Sequence, residues 1–253
     1  MDGTASRSRL LDGARRTGTV VSLPDVALAE LTASAVDFVW IDLEHGALST
    51  RDVQPLAIAA RAGGAASLVR LRSADDPALG PALDAGVDGV VVPRVETAGQ
   101  AAAVVERLRH PPRGSRGTAA RRAAGYGVAG ALPADPVCLL QIETADGVGR
   151  AAAIACVEGV DALVVGCADL ALDMGEPVLE AARFGEAVEE VQRAAADARI
   201  ASGIAGPGDP ELLMRLAGSR STLLVLGADV RIYAGALSAA FHHLPEEAAH
   251  VGT

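Results

Sequence analysis

Short runs rich in Val, Ile and Leu alternate along this chain with longer Ala-rich stretches whose apolar residues fall at helical spacing. Unbroken apolar runs of this kind, too short for helices and bounded by Gly, Asp or Pro, suit parallel strands covered by helices. Eight are predicted, at Thr19–Leu23, Phe38–Asp42, Ser67–Leu71, Gly89–Pro93, Cys138–Ile142, Ala162–Gly166, Ser202–Ala205 and Leu223–Gly227. The intervening stretches predict helices near 25–34, 50–62, 76–85, 97–109, 147–156, 179–198, 209–217 and 231–241. Ser49 or Thr50 supplies a start signal for the second, and Asp209-Pro210 for the seventh. Eight near-equal strand–helix pairs without a dividing linker predict one α/β domain, a closed (β/α)8 TIM barrel over residues 1–253, with residues 1–17 as an N-terminal extension. An open doubly wound sheet would carry a glycine-rich turn after its first strand, and none follows Leu23.

Composition narrows the chemistry. All 22 basic residues are arginine, so the chain has no lysine and can form neither a lysine Schiff base nor a lysine-bound pyridoxal cofactor. The net charge of -10 is spread without a block of like charges, which leaves no nucleic-acid footprint. Cys138, Cys156 and Cys167 lack zinc-like spacing, and three is an odd number for a disulfide framework, so a reducing cytoplasm is expected. No stretch has signal-peptide or membrane-span character. The expected partners are small molecules and further copies of the chain, with neither nucleic acid nor membrane.

In a barrel the reacting groups gather where strands end. Strand two ends in Asp42-Leu43-Glu44-His45, strand three in Arg70, strand four in Pro93-Arg94; strand five carries Gln141 and Glu143, and Asp169 follows strand six. Glu143 and Asp169 come from adjacent strands, and two carboxylates with open positions suit Mg²⁺ or Mn²⁺; singly, each could equally cap a helix or pair with an arginine. A 2-oxo acid reaching such a cation would need no lysine to stabilise its enolate. Asp42 is close enough in sequence to orient His45 as a general base and favour its charged form. Arg70 can grip a carboxylate or neutralise an oxyanion, and Arg72, just beyond the strand, serves as the salt-bridge comparison. Asp84, in LDAGVDG, reads by itself as a helix-end residue. His242, His243 and His250 read as surface, and His110 stays ambiguous. The irregular stretch HPPRGSRGTAARRAAGYGVAGALPAD between strands four and five, with Arg113, Arg116, Arg121 and Arg122, is expected at the barrel top as a lid or subunit contact.

The stretches DFVWIDLEHG, LVRL, LDAGVDGVVVPRVETAGQA, HPPRGSRG, LLQIETADGV, GVDALVVGCADLALDMG and VLGADVRIYAGAL, in this order, resemble the HpcH/HpaI aldolase family from about Gly18 to the last helix. The resemblance implies a class II aldolase that uses a divalent metal ion (Mg²⁺, Mn²⁺ or Co²⁺) to cleave or form 4-hydroxy-2-oxo acids through a pyruvate-type enolate. It implies a homo-oligomer, commonly a hexamer, acting on small 2-oxo acids and aldehydes. It makes His45 the catalytic base supported by Asp42, gives Arg70 transition-state stabilisation, and has Asp84 raise the histidine's basicity. Glu143 and Asp169 become the metal ligands; Gln141, Gly166 and the backbone at Ala168 become substrate contacts. Cys167 departs from the usual proline before that alanine, TAARRAAGYG departs from a more glycine-rich pattern, and the first strand lacks a common tryptophan; these bear on acceptor specificity. Acyl-CoA lyase relatives usually place Glu-Asp where this chain has Glu44-His45. An oxaloacetate decarboxylase or carbon–carbon synthase would use the same groups, and a silent binding barrel would retain them without turnover.

Overall fold

A computed structural model describes residues 3–128, 134–176, 179–206 and 208–242. Its eight strands are β1 (Arg16–Val21), β2 (Phe38–Asp42), β3 (Ala66–Arg70), β4 (Gly89–Val92), β5 (Val137–Ile142), β6 (Ala162–Gly166), β7 (Ala201–Gly206) and β8 (Leu223–Ala228). Each pairs in parallel with the next and β1 pairs with β8, closing the predicted (β/α)8 barrel. The helices are α1 (Gly3–Leu10), α2 (Val26–Ala33), α3 (Thr50–Ala62), α4 (Leu79–Asp84), α5 (Ala98–Leu108), α6 (Ala145–Gly149), α7 (Ala151–Ala155), α8 (Cys167–Met174), α9 (Ala182–Asp197), α10 (Pro210–Ala217) and α11 (Asp229–Phe241).

Strand alternation separates two cores. Phe38 and Trp40, Ala66 and Leu68, Val137 and Leu139, and Ala162 and Val164 fill the barrel interior, while Val39, Ile41, Val69, Leu140 and Val165 pack under the helices. Continuing the inward series by two residues on each strand brings up Asp42, Arg70, Gln141 and Gly166. A polar layer therefore sits on an apolar plug at the carboxyl end.

The opposite end is built for stability. Val36-Asp37, Val87-Asp88 and Val160-Asp161 precede β2, β4 and β6, and each aspartate accepts the N–H of a residue at the start of the preceding strand: Thr17 (2.9 Å), Ser67 (2.8 Å) and Cys138 (2.9 Å). Asp161 also pairs with Arg7 of α1. Leu10 of α1 enters the interior cluster with Phe38 and Trp40, so α1 closes this end, and β1 begins at Arg16 within the segment expected to precede the barrel.

Three further expectations change. The 147–156 helix is two short helices, α6 and α7, meeting at Arg150. α8 arises directly from β6 with Gly166 as its N-cap, although its eight residues were not predicted as a helix. The arginine-rich stretch is not at the barrel top: it follows α5, whose carboxyl end lies beside the strand starts. Arg122 donates to the carbonyls of Ala85 and Gly86 at the end of α4, and Arg116 lies 3.7 Å from Asp84. It cannot cover its own barrel mouth. Residues 129–133 of this stretch, and His243 and His250, lie outside the described residues; His242 is exposed at the end of α11. Among the described residues no helix is long and apolar enough to cross a membrane.

Candidate active site

The mouth is organised around a buried ion pair. Arg70 Nε donates to Asp42 Oδ1 (2.9 Å) and Nη2 donates to Oδ2 (2.7 Å), a two-point fork made possible by the register that pairs Asp42 with Arg70 across β2 and β3. Burial opposes the Arg70 charge, but Asp42, Glu44 and Glu143 outweigh it and lift its pKa above the ordinary value. Its Nη1 stands 3.1 Å from Oε2 of Glu44, a buried oxygen without a hydrogen-bond partner.

Asp42 does not orient the His45 ring. Its Oδ1 accepts the backbone N–H groups of Glu44 (3.0 Å) and His45 (3.3 Å), fixing the loop, while both oxygens engage Arg70. The imidazole instead projects to the rim, 64% exposed, with Nε2 3.6 Å from Glu44. Glu44, named at the end of strand two but given no role by the sequence, is thus part of the site. Burial pushes its carboxyl up, only partly offset by Arg70 and His45.

Glu143 lies one residue beyond β5 and is buried. Gln141 Nε2 donates to its Oε1 (2.6 Å), and the Arg94 backbone N–H donates to its Oε2 (3.0 Å). Arg94 makes that contact from a left-handed conformation, φ 51°, unusual for a side-chain-bearing residue and typical of constrained functional sites. Burial, then the charges of Glu44 and Asp169, push the Glu143 carboxyl up to about 7. A Cβ on Gly166 would stand only 2.2 Å from Glu143 Oε1, so a bare residue there makes room for the carboxylate. The first-turn amides of Cys167, Ala168 and Asp169, free of intrahelical partners, open α8 at the mouth. Cys167 is buried and its thiol is pushed up to about 12, so it is inert packing.

Glu44, Glu143 and Asp169 repel one another at the mouth, and Gln141 Oε1 and Glu44 Oε2 are buried without hydrogen-bond partners. These features fit a hard divalent cation, which would relieve the repulsion. Among the described residues no group of three or more His, Cys, Asp or Glu side chains is placed to hold a metal ion. Asp84 is not with this group. It ends α4 at the far end of the barrel, in a small pocket with His110 and Arg116. Arg72 is half-exposed and pairs loosely with Asp76 (3.7 Å).

A parallel barrel whose carboxyl-end mouth gathers a buried arginine–aspartate fork and three mutually repelling carboxylates has the layout of a barrel enzyme's active site. Comparison with known proteins narrows this. Residues 21–208 match the family described as HpcH/HpaI aldolase/citrate lyase. The chain is 35% identical over 247 residues to the hydroxypyruvate/pyruvate aldolase of Cupriavidus necator, covering 91% of this chain and 90% of that one. A 159-residue stretch, 60% of this chain, is 40% identical to the 2-dehydro-3,6-dideoxy-6-sulfogluconate aldolase of Pseudomonas putida and spans 62% of its length. A crystal structure of an HpcH/HpaI aldolase/citrate lyase family protein from Burkholderia cenocepacia superposes with a TM-score of 0.88 at 31% identity, covering 94% of this chain and 98% of that one. The chain belongs to the HpcH/HpaI aldolase/citrate lyase family and is a carbon–carbon lyase.

Proposed function

We propose that the protein is a divalent-metal-dependent aldolase that cleaves or forms 4-hydroxy-2-oxo acids, with pyruvate or a close analogue as the enolate partner. The observation that carries this is the buried Glu143, its carboxyl raised to about 7 beside Glu44 and Asp169 and facing the Arg70 fork in a chain without lysine. Glu143 and Asp169 would hold the cation, with Mg²⁺, Mn²⁺ and Co²⁺ as candidates. Bound there, it supplies Lewis acidity toward the keto and carboxylate oxygens of a 2-oxo acid.

This chain's residues supply the rest. The amides at Ala168 and Asp169 face the substrate carboxylate with the positive end of α8. Gln141 holds Glu143 in place and turns its unpartnered Oε1 to the substrate. Arg70, locked by Asp42, neutralises charge as it develops on the keto oxygen. In the cleavage direction His45 takes the proton from the C4 hydroxyl; the C3–C4 bond breaks, its electron pair passes to C3 and the keto oxygen, and C4 leaves as an aldehyde. Protonation at C3 then gives pyruvate. His45's exposure suits an aldehyde arriving from solvent at the rim. The role assigned to Asp84 at the histidine cannot be met within one chain, because α4 delivers it to the opposite end, so it requires a contact with another subunit of a homo-oligomer. The free thiols of Cys138, Cys156 and Cys167 fit a cytoplasmic setting.

The test is pyruvate release from 4-hydroxy-2-oxo acids and from oxaloacetate by chelated protein, before and after addition of Mg²⁺, Mn²⁺ or Co²⁺. Metal-restored cleavage of the hydroxy acids supports the proposal. Turnover of oxaloacetate alone would replace it with a decarboxylase or synthase, and metal-independent or absent turnover would overturn it.

A further inference from the structure

We infer that the floor of the barrel carries a second small-molecule site, which takes a phosphomonoester between Arg199 and Arg220. A cleft of about 330 Å³ opens there at the starts of β7 and β8, with Arg199, Arg220, Ser202 and Thr222 in its lining. It lies at the opposite end of the barrel from Arg70 and Glu143, so the inference does not depend on the chemistry at the mouth.

The cations at this end fall into two groups. Arg7, Arg9, Arg15 and Arg16 are all committed within the fold. Arg7 forks onto Asp161, Arg9 donates to the carbonyls of Asp37 and Gly64, Arg15 to that of Gly218, and Arg16 to Asp12. The guanidinium groups of Arg199 and Arg220, by contrast, have no hydrogen-bond or ion-pair partner among the described residues. Asp161 is the one carboxylate in the lining, and it does not neutralise them: Arg7 occupies both its oxygens, and the Cys138 N–H also donates to Oδ2 (2.9 Å). In a chain of net charge -10 the cleft therefore holds two uncompensated positive charges. Two guanidinium forks suit a tetrahedral dianion, each able to grip a pair of its oxygens, and the Thr222 hydroxyl adds a neutral donor.

Both arginines stand on fixed turns. Arg199 follows α9 in a left-handed conformation, φ 59°, with its own N–H donating to the Ala196 carbonyl (3.0 Å) and the Ile200 N–H to that of Ala195 (3.0 Å). Glycine is the usual residue at such a helix exit because it lacks a Cβ. The turn alone would be better served by glycine, so the arginine is explained by what its side chain does. On the neighbouring turn the Arg220 carbonyl accepts Ser202 Oγ (3.2 Å), while buried Ser221 bonds Ser202 (3.3 Å) and Gln192 (3.1 Å). These turns lead into β7 and β8, which pair directly, so the roots of the two cations are held at a set spacing before any ligand arrives.

Size selects the ligand. The cleft is at the lower end of the roughly 300–1,000 Å³ typical of small-molecule sites and larger than a bare phosphate needs. Leu11, Ile200 and Ala201 give it an apolar wall beside the cations. A phosphate carrying a short carbon chain fills both parts, and inorganic phosphate is its minimal form.

The test is calorimetric titration of the chelated full chain at low ionic strength with glycerol 3-phosphate and with inorganic phosphate. One site per chain is expected, tighter for the ester. Arg199→Gly and Arg220→Ala should each weaken binding ~10-fold or more, the loss of a charge-assisted contact. Arg199→Gly also suits the left-handed turn, so its melting temperature without phosphate should equal or exceed that of wild type, which separates lost binding from lost folding. Equal affinity for the two probes would keep the site and make free phosphate its ligand. Absence of binding by either probe, or binding unaltered in both variants as for an anion held at the mouth, would overturn the inference.

Discussion

Replacing Glu143 by Gln should change how stability depends on pH, with a sign set by burial. The folded state raises this carboxyl from an ordinary 4.5 to about 7, so between those values the folded protein keeps a proton that the unfolded chain has released. Unfolding free energy therefore falls as pH rises through this window, the stabilisation of the protonated form being complete below about 4.5 and lost above about 7. At ~1.4 kcal/mol for each pH unit, the loss for metal-free protein is roughly 3 kcal/mol, or about 6–12 °C in melting temperature for a chain of this size. Glu44, also raised by burial, contributes with the same sign. Glu143→Gln keeps the shape and the contact with Gln141 but cannot ionise, so its melting temperature should decline much less between pH 5 and 8. The assay is thermal unfolding of chelated wild type and variant across that range, repeated with Mg²⁺. Added Mg²⁺ should restore the wild type at pH 8 and leave the variant nearly unmoved. Parallel pH curves for the two proteins would refute the argument.

Gly166→Ala should displace the Glu143 carboxylate, because the new methyl would stand 2.2 Å from Oε1; metal-dependent kcat/KM should fall ~100-fold or more with the fold kept, and activity within a few-fold of wild type would contradict the geometry. Arg70→Lys keeps the charge but loses the fork on Asp42, so a drop in kcat of ~10²-fold and a loss of about 1–3 kcal/mol in denaturant unfolding are expected. Asp161→Ala removes the acceptor of the Cys138 amide and the partner of Arg7 at the far end of the barrel; melting should drop by about 5–10 °C while kcat is unchanged, and a kcat effect would deny the separation of the two ends.

Much of this was legible in one dimension because strand alternation has period two. The apolar run Phe38–Ile41 followed by Asp42, and Val137–Leu140 followed by Gln141 and Glu143, already say that polar groups cap apolar strands at one end. Each misjudged element has its own cause. α8 was hidden because CADLALDM follows β6 without a turn. The arginine-rich stretch was set at the wrong end because its length drew attention away from chain direction: a segment between a helix and the next strand lies at the strand starts. Glu44 was given no role because adjacency to His45 concealed that its charge serves Arg70.

The sequence by itself determined the barrel, the family and the residue types of the chemistry: no lysine, and arginine, histidine and carboxylates at strand ends. These are local facts, written in hydrophobic period and composition. Only the tertiary structure decided that Asp42 is committed to Arg70, that burial and like charges raise Glu143, and that Asp84 stands at the opposite end from His45. The same holds for α11, of which only Asp229 is buried. Each depends on distances between strands far apart in the chain, and on exposure to water, and neither is encoded in spacing along the sequence.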